Sequence, residues 1–359
     1  MKILDWYILK RYLFTFLMML LLFIPIAIMV HMAEKIGKII DSDAGFNEIA
    51  EYLLNFTIYF ANLLFPLFLF LSVIFFTSKL ANNTEVVAFL SSGVSFSRFL
   101  RPYLIGATII AICALILGMF LAPKASKGYN EFRYKYLSRN KKIQDTKDVY
   151  RRITDNDIIY ISSFDPKSKR GQNFALEHFK DNRLEYKVFA NSLRYKEEDT
   201  TFVLNGYYKR VYDSLGNVTV EQKSKINVRF SFDVDDLTPV NYIAETKLYH
   251  ELVDFIDKEK ARGSSNIGRY EVVKYKKWSL PVSVFILTII AVAVSSIKRR
   301  GGMGVNLAFG ITIAMIYVFF DKIFGVMAEQ SNFDPIIAVW FPNIIFGILA
   351  IYLLYNAKR

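Results

Sequence analysis

Cysteine is almost missing from this chain: Cys113 is the only one, and it lies inside an apolar run. A disulfide framework and a cysteine-based metal site are both excluded. Histidine is nearly as scarce, with His31, His178 and His250 in unlike segments, each read as a surface or packed residue. There is no P-loop pattern, no HExxH, no G-x-S-x-G and no cluster of His, Cys and carboxylates. The usual hydrolytic and metal signatures are therefore absent, and neither a catalytic residue nor a metal site is expected. The net charge of +12 does not mark a nucleic-acid binder, because the basic residues gather beside apolar runs and form no stripe with interleaved aromatics.

What the chain has in quantity is apolar length. Its 359 residues are 53% hydrophobic and 16% aromatic, yet the middle third is polar, so membrane and soluble parts share one chain. A bilayer core about 30 Å thick needs about 20 apolar residues of helix. Runs at 12–32, 52–77, 103–121, 280–297, 305–326 and 336–355 meet that requirement, the first with Pro25 as its only breaker. Lys2, Lys10 and Arg11 before the first run also suit a signal peptide, but the run is long and no A-x-A-like cleavage pattern follows it.

Six spans put both termini on one side. Lys2, Lys10, Arg11, Lys79, Arg98, Arg101, Lys298, Arg299, Arg300, Lys358 and Arg359 all fall on that side, which the distribution of basic residues predicts to be cytoplasmic. Asp41, Asp43, Glu48, Glu51, Glu329 and Asp334 mark the opposite face. The segment from Lys124 to about Lys277 then faces outward.

Within that segment apolar and polar residues alternate over 158–164, 174–179, 184–190, 202–212, 218–226 and 228–234, a strand pattern. Asp165-Pro166 through Gly171, Asp181-Asn182 and Asp213 through Asn217 supply turns between them. Antiparallel sheet in a sandwich or jelly roll follows. Leu248, Leu252, Phe255 and Ile256 then recur at helical spacing, with Thr246 as N-cap and Gly263 as stop, before Lys274, Lys276 and Lys277 lead into the fourth span. The expected fold is a mixed membrane protein: a six-helix transmembrane domain with a β domain inserted between helices 3 and 4. Residues 1–123 hold three spans, 124–245 the β domain, 246–277 a connecting helix and linker, and 278–359 three more spans.

Three groups of residues are candidates for function. The stretch 82–95 reads as a short capped amphipathic helix, with Asn82 to Thr84 as cap, Glu85 in the first turn, Val86, Val87, Phe89 and Leu90 as apolar surface and Gly93 as stop. It either lies on the membrane or enters a groove on a cytoplasmic partner. His31, Glu34, Lys35 and Lys38 gather at the outer end of the first span, and Arg133 follows the third; these cations either meet phosphates or snorkel into the interface. Asp321 and Lys322 either line a path or pair together, since ionisable groups in spans are costly.

Leu4-Asp5-Trp6-Tyr7-Ile8, Thr84-Glu85-Val86-Val87 through Ser92-Gly93, Ala122-Pro123, Met303-Gly304-Val305, Asp321-Lys322-Ile323-Phe324-Gly325 and Asp334-Pro335-Ile336-Ile337 form an ordered set. In order and spacing the set resembles the LptF/LptG family of lipopolysaccharide-export permeases, over nearly the whole chain and closer to its LptG side. The resemblance implies an inner-membrane subunit of an ABC transporter that binds no cofactor itself. ATP would be used by an LptB-like cytoplasmic ATPase dimer, beside a second LptF/LptG-type permease. LptC-like and LptA-like periplasmic bridge proteins would receive the lipopolysaccharide through a periplasmic jelly roll. By the same resemblance 82–92 becomes the coupling helix with Glu85 as its acidic residue, His31, Glu34, Lys35, Lys38 and Arg133 lie near the lipid head group, and Asp321 and Lys322 near a cavity or gate. The alternatives are the permease of another ABC-type lipid exporter and a membrane sensor with an outward β domain; a membrane enzyme would have only Glu34, Lys38 and Asp321 to work with.

Overall fold

The computed structural model describes residues 3–357 except 43, 138–146, 155, 166–167, 182, 197–200, 213–217, 231–242, 262–263, 265, 298–301 and 332. Several expectations lie outside the described residues: the charges Lys2, Asp43, Lys298, Arg299, Arg300, Lys358 and Arg359, the turn residues Pro166, Asn182 and 213–217, the stop at Gly263, and 231–234 of the last expected strand.

Hydrocarbon offers the backbone no hydrogen-bond partners, so a spanning segment must satisfy its own amides, and helix does so. Among the described residues six helices are long and apolar enough to cross a membrane. Helix α1 is Ile3–Ile40, α2 is Phe46–Asn82, and the short α3 is Glu85–Ser91. Helix α4, Phe96–Ile116, runs on through a π-helical turn at Leu117–Leu121, α5 at Ala122–Phe132 and a second π turn at Arg133–Leu137. Later come α6 (Ile243–Thr246), α7 (Tyr249–Ala261), α8 (Ile267–Ser295), α9 (Gly302–Gln330) and α10 (Pro335–Ala357). At 38 residues α1 reaches roughly 57 Å, well beyond a hydrocarbon core.

Two compact units divide the chain: 1–138 with 244–252 and 268–359, and 139–243 with 253–267. The β domain therefore starts later than the expected 124, because helix continues past Ala122-Pro123 to Leu137. Thr246 ends α6 instead of capping α7; the Leu248 amide donates to Glu251 at 3.0 Å and starts α7 there.

In the helical unit one core joins Ile8 and Tyr12 of α1, Leu69, Val73 and Ile74 of α2, Phe99 and Tyr103 of α4, and Leu287, Ile290 and Ala291 of α8. Small residues let backbones approach where lipid provides no hydrophobic drive. A Cβ at Gly106 would come within 2.5 Å of the Tyr12 ring, and one at Gly310 would meet Ile74. Several buried hydroxyls find partners: Thr77 donates to Tyr103 at 3.0 Å, Tyr317 to Asn343 at 3.2 Å, and Ser283 to the Leu280 carbonyl at 2.7 Å.

The second unit holds six antiparallel strands in sequential order: β1 Lys147–Arg152, β2 Asp157–Asp165, β3 Arg170–Lys180, β4 Arg183–Lys196, β5 Thr201–Tyr212 and β6 Val218–Val228. Period-two alternation puts Ile159 and Ile161, Phe174 and Leu176, Val188 and Ala190, and Phe202 and Leu204 on one buried face. Register aligns them, with Ile161 opposite Phe174 and Phe174 opposite Ala190. The inserted antiparallel β domain is thus present. Its described strands make one meander, without the crossing connections of a jelly roll.

Gly268 at the start of α8 allows a close backbone approach between spans: a Cβ there would lie 2.3 Å from the Ala328 carbonyl oxygen of α9. Backbone cannot rotate away as a side-chain tip can. We expect Gly268→Ala to force α8 and α9 apart and lower stability by about 1–3 kcal/mol, whereas Gly37→Ala, which meets open space, leaves the thermal midpoint in detergent unchanged or slightly raised. Equal midpoints for the two variants would refute the close-packing account.

Candidate functional site

Three places in the helical unit carry the residues singled out above. At the end of the bundle where α2 turns into α4, Asn82 and Asn83 close α2, and the turn passes through Thr84 in a left-handed conformation, φ 63°, with no side-chain cap. The expected cap at 82–84 is absent because Thr84 Oγ1 bonds the Asn83 carbonyl instead. Glu85 is half-buried, accepting from the Tyr7 hydroxyl at 3.2 Å and from the Asn83 amide at 3.3 Å. The four apolar residues divide by face. Val86 is buried in the chain's own core and Phe89 packs against it, while Val87 is 54% and Leu90 38% exposed. Val87 and Leu90 are therefore the apolar side chains α3 offers to another surface.

Near the opposite end of α1, His31 stands within electrostatic reach of Glu34, Lys35 and Arg133, so the structure gathers these predicted residues. Their surroundings differ. His31 shares a 2.6 Å hydrogen bond with the Tyr52 hydroxyl and stacks on Phe56 at 4.0 Å. It is one ring in an aromatic pile with Tyr129, Tyr52 and Phe132, not a projecting cation. Lys35 pairs with Glu34, Lys38 is exposed, and the Arg133 guanidinium lies 5.8 Å from the Tyr129 ring centre. Lys35, Lys38 and Arg133 hold the cationic character of this end.

The third place joins α8 and α9. Asp321 accepts from Lys276 at 2.9 Å, and Arg269 approaches Glu329 at 3.6 Å. Lys322 is exposed and lies within electrostatic reach of Glu245 of α6. Desolvation raises the Glu245 carboxyl above its ordinary range in spite of the Lys322 charge, although the residue stays exposed. Asp321 thus pairs with Lys276 of another helix, and no ion pair joins it to Lys322 among the described residues.

Sequence reasoning passed over Lys277 as one more basic residue flanking a span. It is buried, 9% exposed, and its ammonium donates to the Gly118 carbonyl at 2.9 Å. The reason is in the backbone. In a π turn each carbonyl accepts from the amide five residues ahead, as Leu117 does from Ala122. For Gly118 that donor would be residue 123, which is proline and has no N–H. Lys277 supplies the missing proton from another helix. The sequence signal was available: a proline just past an apolar run, and a lysine at the edge of another.

The β unit has its own concavity of about 330 Å³, lined by Ile153, Leu176, Val188, Leu204 and Phe230 with Asp157 and Lys209 among them. Nearby His178 bonds Asp157 at 2.7 Å and stacks on Tyr186; His250 is exposed.

A model of the family described as lipopolysaccharide export system permease LptF/LptG matches residues 6–356. The lipopolysaccharide export system permease protein LptG of Escherichia coli strain K12 is 20% identical over 354 residues, covering 98% of each chain. LptG of Escherichia coli O6:H1 matches to the same extent.

The Lys277 account generates a rescue test. Lys277→Met leaves the Gly118 carbonyl buried without a donor, at a cost of about 1–3 kcal/mol, offset in part by removing a buried charge. Adding Pro123→Ala restores the backbone amide. We expect the double variant to melt above Lys277→Met in detergent, and a Pro123→Ala change with no rescuing effect would separate Lys277 from the proline.

Proposed function

Because this chain belongs to the LptF/LptG family of lipopolysaccharide export system permeases, we propose that it is one permease subunit of an ABC transporter. In this reading it takes lipopolysaccharide from the outer leaflet of the inner membrane and hands it to a periplasmic bridge. The observation that carries the reading is the family match across 6–356, spanning both the six apolar helices and the inserted sheet. The chain is a conduit and not a catalyst. With no nucleotide-binding pattern in its sequence, it draws energy from a separate cytoplasmic ATPase dimer and works beside a second permease of the same family.

The cargo explains the architecture. Each buried methylene contributes roughly 0.8 kcal/mol, so one acyl chain of about a dozen carbons resists extraction by about 10 kcal/mol. A lipid with several chains needs apolar surface along the whole route. Exposed apolar faces of the spans and the apolar concavity of the sheet unit supply it, and β6, an edge among the described strands, is where a bridge protein would extend the sheet. Both termini and α3 face the cytoplasm, where Val87 and Leu90 enter the ATPase groove. Lys35, Lys38 and Arg133 face the periplasmic side and meet anionic head groups.

Two variants test the two ends separately. Glu85→Lys is expected to leave the protein in the membrane while ATP hydrolysis no longer drives export; normal export would remove Glu85 from the mechanism. Lys35→Ala with Lys38→Ala is expected to weaken photocrosslinking of lipopolysaccharide to the helical unit. Undiminished crosslinking would return both lysines to interfacial snorkelling.

A further inference from the structure

The first turns of α1 grip α3 and the start of α4 from both sides. On one side the Tyr7 hydroxyl donates to Glu85 Oε2 at 3.2 Å, with the Arg11 guanidinium 4.8 Å over the Tyr7 ring. On the other, Arg98 in the first turn of α4 binds Asp5 Oδ2 at 3.1 Å. These links begin two residues apart on α1 and end on opposite flanks of the turn that carries Val87 and Leu90. Apolar packing fills the space between: Val86 and Phe99 are buried in the same core as Ile8 and Tyr12, Phe89 meets Phe99, and Tyr12 lies against Tyr103. These contacts tie α3 and the start of α4 to the start of α1.

Helix α1 continues without a break to Ile40. From Tyr7 to Lys38 it spans roughly 46 Å of rise, with Pro25 as the one interior position where the hydrogen-bond ladder is interrupted. Resting on the permease reading above, we propose that α1 is the strut that carries displacement of the coupling helix to the lipid-contact end, and that Tyr7 is a positioning residue acting through Glu85. Glu85 then works from within the chain. Its two carboxylate oxygens are engaged by Tyr7 and Asn83, so it ties α3 to α1 at the moment the partner ATPase pushes on the exposed face.

The test uses the intact complex, purified with its second permease and ATPase dimer and reconstituted into liposomes containing lipopolysaccharide. ATP hydrolysis and lipopolysaccharide released to a soluble acceptor protein are read together. Tyr7→Phe, which removes one hydroxyl, is expected to keep the complex assembled and hydrolysing, while lipid released per ATP falls about tenfold. Combined with Glu85→Ala, which removes the acceptor, it should do no further harm, because both changes break one link. A normal ratio for Tyr7→Phe beside an impaired Glu85→Ala overturns the strut and leaves the coupling reading standing. Normal ratios for both overturn the two together, and additive losses show that Tyr7 does not act through Glu85. Should Tyr7→Phe fail to assemble, Arg98→Gln cuts the second link without touching the aromatic packing, and an unchanged ratio there is equally fatal.

Discussion

One carbonyl inside the membrane unit sets a demand that two distant parts of the chain meet together. Pro123 deprives Gly118 of its backbone donor within a π turn, and Lys277 reaches across from α8 to provide one. A buried ammonium is costly in a low-dielectric setting, and so is a buried unsatisfied carbonyl; each is tolerable because of the other. The pairing fixes the third span against the fourth, which the inserted sheet separates in sequence. The same constraint recurs at lower stakes wherever Thr77 meets Tyr103 or Tyr317 meets Asn343.

Around that fixed pair the ionic contacts sort themselves by location. Asp5 with Arg98, Lys276 with Asp321 and Arg269 with Glu329 all join separate helices. Partly exposed pairs of this kind add little stability. Their value lies in geometry: they specify which helices move together. Aromatic packing does similar work at the far end of α1, where His31, Tyr52, Phe56 and Tyr129 lock three helices by ring contact.

Apolar length made the six spans legible, and period-two alternation made β2 through β6 legible, because both patterns report burial directly. Strand β1 was not, since Lys147–Arg152 is mostly charged and takes its place by pairing with β2. The Ala122-Pro123 step suggested an end to the third span; a π turn lets helix persist across it. Orientation within α3 was likewise hidden. Val86 and Val87 are adjacent and chemically identical, and only tertiary contact decides that the first is core and the second surface. His31 looked like a cation beside two lysines until the ring of Tyr52 supplied its partner.

The inserted sheet unit also sets the order in which the molecule can be made. The core around Leu69, Val73 and Tyr103 is completed by Leu287, Ile290 and Ala291, residues synthesised only after the whole β unit has emerged. The first three helices must therefore wait with an unfinished face while the intervening chain is made. Such long-range closure is slow compared with local helix formation, and an open face in that interval invites mispairing. At Gly310, where a Cβ would collide with Ile74, any larger residue on the late-made α9 would have to displace a side chain of the early-made α2.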